Sequence, residues 1–294
     1  MKNLTISEYA ALHGLNPRTV RNYCLAGKLP GAEQNGKFWT IPADAPVPTK
    51  GKHSRTASPL LAALRAEQQS HTQGGIYHRT QIDLTYNSNH IEGSRLSHDQ
   101  TRFIYETATI GFESQPVRVD DVIETVNHFR CIDMIILRAE EPISHSLVKD
   151  LHRQLKAGTQ DSTRSWFAVG DYKQLPNEVG GVETTAPELV YDQLTQLFSE
   201  YNAIPQKSLD DLLTFHTRFE RIHPFQDGNG RVGRLLLFKE CLANDITPFI
   251  IADDLKLFYY RGLQHWFDTP GYLRDTCLTA QDRYAALLQY FRIL

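Results

Sequence analysis

Long apolar runs are missing from this 294-residue chain. No stretch approaches the ~18–20 residues that cross a bilayer, so no membrane span or membrane partner is expected. The opening MKNLTISEYAALHGL has none of the apolar core of a secretion leader. Cysteine is scarce. Cys24, Cys131, Cys241 and Cys277 are scattered, mostly among apolar neighbours, and no spacing suggests a metal site. They read as reduced core residues of a cytoplasmic protein. Neither sign of charge dominates: the net charge is −3, with 41% hydrophobic and 22% charged residues, ordinary values for a soluble globular protein. The length allows more than one domain. The charge is unevenly spread, however. Residues 1–55 hold eight lysines and arginines against three acids, an excess of +5, which leaves −8 on the remainder. That asymmetry marks a separate N-terminal unit suited to an anionic partner.

Within that unit, Thr5-x-x-Glu8 is a capping box that predicts a helix through Leu12, ended by Gly14. Asn16-Pro17 predicts a second helix, with a cap and a proline at its first position. It would carry Arg18, Arg21 and Lys28, with Val20, Cys24 and Leu25 facing inward. Asn35-Gly36 predicts a hairpin turn between residues 32–34 and 37–41. The order of these elements resembles the small winged helix-turn-helix of excisionase and MerR-type proteins. The resemblance implies a second helix in the DNA major groove, with Arg18, Arg21 and Lys28 as contacts. A helix-turn-helix that now only holds a protein partner is the alternative reading. One such unit binds weakly, so a homodimer is expected. Residues 42–58, rich in proline and small polar residues, read as linker. The expected division is residues 1–45, a connecting segment over 46–74, and a larger domain over 75–294.

The densest chemistry lies in His223-Pro224-Phe225-Gln226-Asp227-Gly228-Asn229-Gly230-Arg231-Val232-Gly233-Arg234. Two glycines flanking an asparagine leave backbone N–H groups free to approach an anion. A helix predicted from Arg231 points its positive end at the same place. Arg231 and Arg234 share one helix face and can grip phosphate oxygens. Asp227 is a hard oxygen ligand suited to magnesium. His223 can take a proton near neutral pH. Ahead of the run, Ser208 and Asp211 predict a capped helix, and His216 reads as a core histidine supporting the site from behind.

The run fits H-x-F-x-D/E-G-N-G-R-x-x-R at every fixed position, and in this it resembles the Fic family. The resemblance implies transfer of AMP from ATP to a protein hydroxyl. His223 would be the general base and Asp227 the Mg²⁺ ligand. Gly228, Asn229 and Gly230 would form the anion hole, with Asn229 near the α-phosphate. Arg231 and Arg234 would hold the outer phosphates, and Phe225 would anchor the loop in the core. Upstream, Ser88-Asn89-His90-Ile91-Glu92-Gly93 resembles the family's inhibitory motif S/T-x-x-x-E-G/N, carried by Ser88, Glu92 and Gly93. It implies a Glu92–Arg234 pair in the place of the ATP γ-phosphate. Residues 166–173 and 178–182 read as a β-hairpin, matching the family's flap over 166–182 that docks a target's main chain. Tyr260, beside Tyr259, would line an adenine pocket or belong to the core.

Other helices are predicted at about 98–109, 117–139, 144–157, 187–201, 254–268 and 279–292. The expected fold is mainly α: a Fic helical bundle with a β-hairpin flap behind a small winged helix-turn-helix. The expected function is an autoinhibited, Mg-ATP-dependent protein adenylyltransferase, with Glu92 also able to align a water for AMP removal. A DNA-binding regulator that senses nucleotide through its Fic domain is the alternative. A toxin-type regulator would combine both.

Overall fold

Thr5 and Glu8 close their capping box in the computed structural model, which describes residues 3–15, 17–25, 27–35, 38–47, 58–110 and 116–293, without the side chains at 18, 19, 22, 25 and 38. The chain forms two compact units, Met1–Thr56 and Ala57–Leu294. In the first, β1 (Asn3–Thr5), α1 (Ile6–Leu12), α2 (Pro17–Leu25), β2 (Glu33–Asn35) and β3 (Phe38–Pro42) follow in order. The sheet is antiparallel in the order β1-β3-β2. β1 was not expected; its short run Asn-Leu-Thr gains strand character only by pairing Leu4 with Ile41. Tyr9, Val20, Cys24, Leu29 and Ile41 form the core. The expected cap at Asn16 and turn residue Gly36 lie outside the described residues, as does the Arg18 side chain. Arg21 and Lys28 are exposed.

The stretch 42–58, expected to be linker, begins inside the first unit. Tyr9 donates its hydroxyl to the Ala45 carbonyl at 2.9 Å, and Ala45 is buried, so residues 42–47 belong to the first unit. Residues 48–57 lie outside the described residues. On the far side, α3 (Pro59–Ser70) is a helix of the second unit. Ser58 accepts from the Leu61 N–H, Pro59 opens the first turn, and Leu60, Leu61 and Leu64 are buried. Burial of that leucine face overrides the neighbouring proline- and serine-rich composition.

The second unit continues with α4 (Ile76–Ile91), α5 (His98–Thr107), α6 (Val119–Leu137) and α7 (His145–Lys156). After β4 (Glu178–Val179) and β5 (Val182–Glu183) come α8 (Pro187–Asn202), α9 (Leu209–Ile222), α10 (Asn229–Ala243), α11 (Lys256–His265) and α12 (Gly271–Tyr290). α10 runs through the middle and packs on α4, α6, α7 and α9. All but two of its residues are buried. α12 begins eight residues earlier than the expected 279. Its first turns already bury Leu273, Thr276 and Cys277 against α11, where Gly262 has no Cβ to meet the Leu273 Cα, 2.6 Å from where one would stand.

The flap is shorter than expected. Only Glu178–Val179 and Val182–Glu183 pair, around Gly180 and Gly181, both at positive φ. Residues 166–173 form turns instead of a strand. Gly170 takes φ +75° there, and the Lys173 N–H donates to the Pro224 carbonyl at 2.8 Å rather than to a partner strand. Among the described residues, no helix is long and apolar enough to cross a membrane.

Candidate active site

The loop between α9 and α10 is held from behind. Ser208 and Asp211 cap α9 as the sequence predicts, and the helix ends at His223 in the left-handed region, φ +51°. Phe225 is fully buried and stacks on the ring of His152 from α7, centroids 3.9 Å apart and planes 5° apart. His152 accepts from the Gly170 N–H at its Nδ1 (3.0 Å), so its Nε2 carries the proton donated to the Asp227 carbonyl (3.2 Å). Burial drives the His152 pKa down to about 3, which keeps the ring neutral. The Asn177 amide donates to the Phe225 carbonyl at 3.0 Å. Lys173, Asn177 and His152 thus brace a loop whose motif names none of them.

One expectation about that loop changes. The helix begins at Asn229, two residues before Arg231, because Gly228 takes φ +81° and turns the chain straight into it. The Asn229 side chain is bonded within the loop itself. Its Oδ1 accepts from the Phe225 N–H and its Nδ2 donates to the Phe225 carbonyl, both at 2.8 Å, so it ties the loop closed. What α10 offers an anion is its first backbone N–H groups, on Asn229, Gly230 and Arg231.

His223 is half-buried, and its Nδ1 meets the Glu220 carbonyl at 3.3 Å. A carbonyl only accepts, so Nδ1 carries the proton and Nε2 holds the free lone pair. Burial lowers the His223 pKa, and the Lys173 charge works in the same direction; the imidazole is therefore neutral at pH 7.

The arginines are both engaged by carboxylates. Arg234 is 6% exposed. It donates to the Glu92 carboxylate at 2.7 Å, to the Ser88 hydroxyl at 3.1 Å and to the Ser88 carbonyl at 2.9 Å. Ser88 and Glu92 come from the end of α4, where Gly93 turns away at φ +95°. The Glu92 carboxylate lies against the first turn of α10: a Cβ on Gly230 would overlap it. Glu92 is thereby the anion now held at that helix N-terminus. Although burial opposes it, the charges of Arg234 and Arg231 hold the Glu92 carboxyl below its ordinary pKa.

Arg231 is 4% exposed and pairs with Glu124 from α6 and, at 3.1 Å, with Asp227. Asp227 is also paired, at 2.7 Å, with Lys156 from α7. Burial opposes ionisation of Asp227, but Arg231 and Lys156 hold its pKa far below the ordinary value. Its side chain remains 47% exposed. Among the described residues no group of three His, Cys, Asp or Glu could alone hold a metal. One exposed carboxylate beside a helix N-terminus fits a Mg²⁺ ion held mainly through bound phosphates.

α4 is placed by buried polar bonds. Thr80 meets the Tyr284 hydroxyl at 2.8 Å, Gln81 donates to Asp133 at 2.8 Å, and Thr85 meets His128 at 3.0 Å. These fix its register, and with it the reach of Glu92. Tyr259 is core: it is 1% exposed, with its hydroxyl 2.6 Å from His216 Nε2. Tyr260 is 42% exposed and donates to the Ile91 carbonyl at 3.4 Å, next to Glu92. His216 is fully buried and kept neutral, its pKa driven down to about 3 by burial. Glu220, on the same helix face, has a side chain 15% exposed and its pKa raised to about 7 by burial. Glu124, Lys156, Lys173, His152 and Glu220 escaped the sequence reading because each lies outside the motif and reaches the site only through folding.

Residues 142–240 match the model of the Fic/DOC family. The chain is 28% identical over 183 residues to the protein adenylyltransferase fic-1 of Caenorhabditis briggsae, a match that spans 60% of this chain and 35% of that protein. This chain therefore matches only about a third of the length of such curated relatives. A crystal structure of a Fic-domain-containing signalling protein from Bacteroides thetaiotaomicron superposes with a TM-score of 0.60 at 25% identity, covering 79% of this chain and 94% of that one. Residues 134–508 of Fic-1 from Caenorhabditis elegans superpose at 0.62 with 19% identity, over 79% and 72% of the two chains, and show the shared fold.

Proposed function

We propose, on the premise that residues 142–240 form a Fic/DOC family domain within a mainly helical Fic fold, that this chain is an autoinhibited protein adenylyltransferase. The observation that carries the reading is the convergence of a neutral His223, an exposed Asp227 carboxylate and the N-terminus of α10 around one loop, with Glu92 occupying Arg234. The target is a hydroxyl side chain of a protein docked along the flap. His223 Nε2 takes the hydroxyl proton as the oxygen attacks the α-phosphate of ATP. A new O–P bond forms, the α–β bridging bond breaks, and pyrophosphate leaves. The N–H groups at the start of α10 face the charge that develops on the phosphate. Asp227 would hold Mg²⁺, which when bound neutralises phosphate charge.

Glu92 competes with the γ-phosphate for Arg234, so a triphosphate seats fully only once the carboxylate has left. The same carboxylate, freed, could align a water for removal of AMP. Tyr260 would flank the adenine. A second function, DNA binding by residues 1–45, is favoured by the exposed Arg21 and Lys28 in a segment, residues 1–55, that carries +5.

The deciding experiment incubates the Glu92→Gly protein and cell lysate with ATP labelled at the α-phosphate. Label on protein is expected with intact His223 and not with His223→Ala. Equal labelling by both would remove His223 as the base and with it the assignment.

A further inference from the structure

Lys156, the last residue of α7, is 2% exposed and gives its three ammonium protons to three carboxylates. These are Glu124 at 2.5 Å, Asp161 at 3.1 Å and Asp227 at 2.7 Å. Glu124 uses its second oxygen on Arg231, which returns to Asp227 at 3.1 Å. The four side chains of Asp227, Lys156, Glu124 and Arg231 form a closed ring of alternating charge. Both cations fall on the same Asp227 oxygen, Oδ2.

Burying an ammonium this deeply costs several kcal/mol unless the carboxylates around it offset the loss of water. The bonds of Lys156 to Glu124 and Asp161 hold the ammonium in place, and the third bond orients Asp227. Asp227 stands on a loop with nearly half its side chain in solvent, where an untethered carboxylate would sample several rotamers. Two buried cations on a single oxygen remove that freedom.

We infer that Lys156 is a positioning residue for the metal–phosphate site. It fixes the Asp227 carboxylate before nucleotide arrives, anchored in turn by Glu124 from α6 and by Asp161 from the turn after α7. The inference rests on the reading of Asp227 as the metal carboxylate. A ligand held by outer-sphere partners typically loses about ten- to a hundredfold in metal affinity when one is removed.

The test is binding of a fluorescent non-hydrolysable ATP analogue, with Mg²⁺ and with chelator, to the full chain in the Glu92→Gly background. The ratio of the two dissociation constants reports the metal's contribution without turnover. Lys156→Met should shrink that ratio about tenfold or more and leave affinity in chelator nearly unchanged. Lys156→Arg, which restores a cation, should recover most of it. An unchanged ratio in a Lys156→Met protein that melts like its parent would overturn the inference. So would an enlarged ratio, which would mean that Lys156 competes with the metal. Failure of both Lys156→Met and Lys156→Gln to fold would also overturn it, by making the lysine purely structural. Asp227→Asn, run alongside, separates the two layers: if it keeps the full ratio, Asp227 is not the metal carboxylate, whatever Lys156 does.

Discussion

At the scale of single residues, the site is governed by which charges are already matched. His223 is neutral because burial lowers its pKa and the charge of Lys173, whose own pKa burial lowers to about 8, adds to the effect. A base with a depressed pKa keeps its lone pair as the solution turns acidic. The acid limb of the kcat/KM profile should therefore lie below the ordinary histidine range near pH 6.5, read from initial rates of AMP transfer. A limb at or above that value would contradict the neutral-histidine assignment. For Glu92, the displaced interaction is a charge-assisted pair, typically worth about 1.5–3 kcal/mol. Glu92→Gly should then raise transfer roughly ten- to a hundredfold. Arg234→Ala should not copy that gain, because the same guanidinium would bind the γ-phosphate, and the double change should be as poor as Arg234→Ala alone. Equal rates for wild type and Glu92→Gly at saturating Mg·ATP would show that Glu92 is no brake.

At the scale of elements, α3 decides where α4 starts. Glu67 of α3 accepts from the Tyr77 N–H at 2.8 Å, so a carboxylate covers the N-terminal end of α4. Gly75 carries no Cβ that would overlap that carboxylate. The other end of α4 delivers Ser88 and Glu92 to Arg234. Leu64 on α3 is fully buried, so Leu64→Ala should cost about 2–5 kcal/mol, measured by denaturant unfolding. A loss under about 0.5 kcal/mol would mean that α3 is a passive connector. The element is readable in retrospect from Leu60, Leu61 and Leu64. A flanking run of proline and serine hid it, since composition says nothing of which face finds a core.

At the scale of the molecule, the two units carry separate cores. The second holds buried groups that tie its stability to pH. Glu220 keeps its proton in the folded state up to about pH 7, against an ordinary 4.5. The folded form thus binds the extra proton between those values, and this contribution to stability is present below 4.5 and lost as pH rises towards 7. His128, His152 and His216, each buried with a pKa near 3, act in the opposite direction, losing stability as pH falls below 6.5. The difference in Tm between Glu220→Gln and wild type isolates the carboxylate and should shift in favour of the variant from about pH 5 to about pH 8. A pH-independent difference would exclude Glu220 as a titrating group. For the first unit, DNA binding should be weak and fall steeply with salt, and Arg21→Ala should weaken it further. Absence of a mobility shift at low salt would favour a protein partner for that unit.

Sequence alone determined the chemistry-bearing loop, because its glycines, asparagine, histidine and arginines act within twelve residues of backbone and need no distant partner to be recognised. It also determined the helix caps at Thr5 and Ser208, which are local hydrogen bonds. The tertiary structure alone decided what each charged group faces. Asn229 closes the loop on Phe225, whose ring is held in the core. Arg231 is matched by Glu124, 107 residues away, and Asp227 by Lys156, 71 residues away. Those pairings depend on how α6 and α7 pack against α10. Packing depends on the fit of whole apolar faces, which a local pattern of residues does not encode.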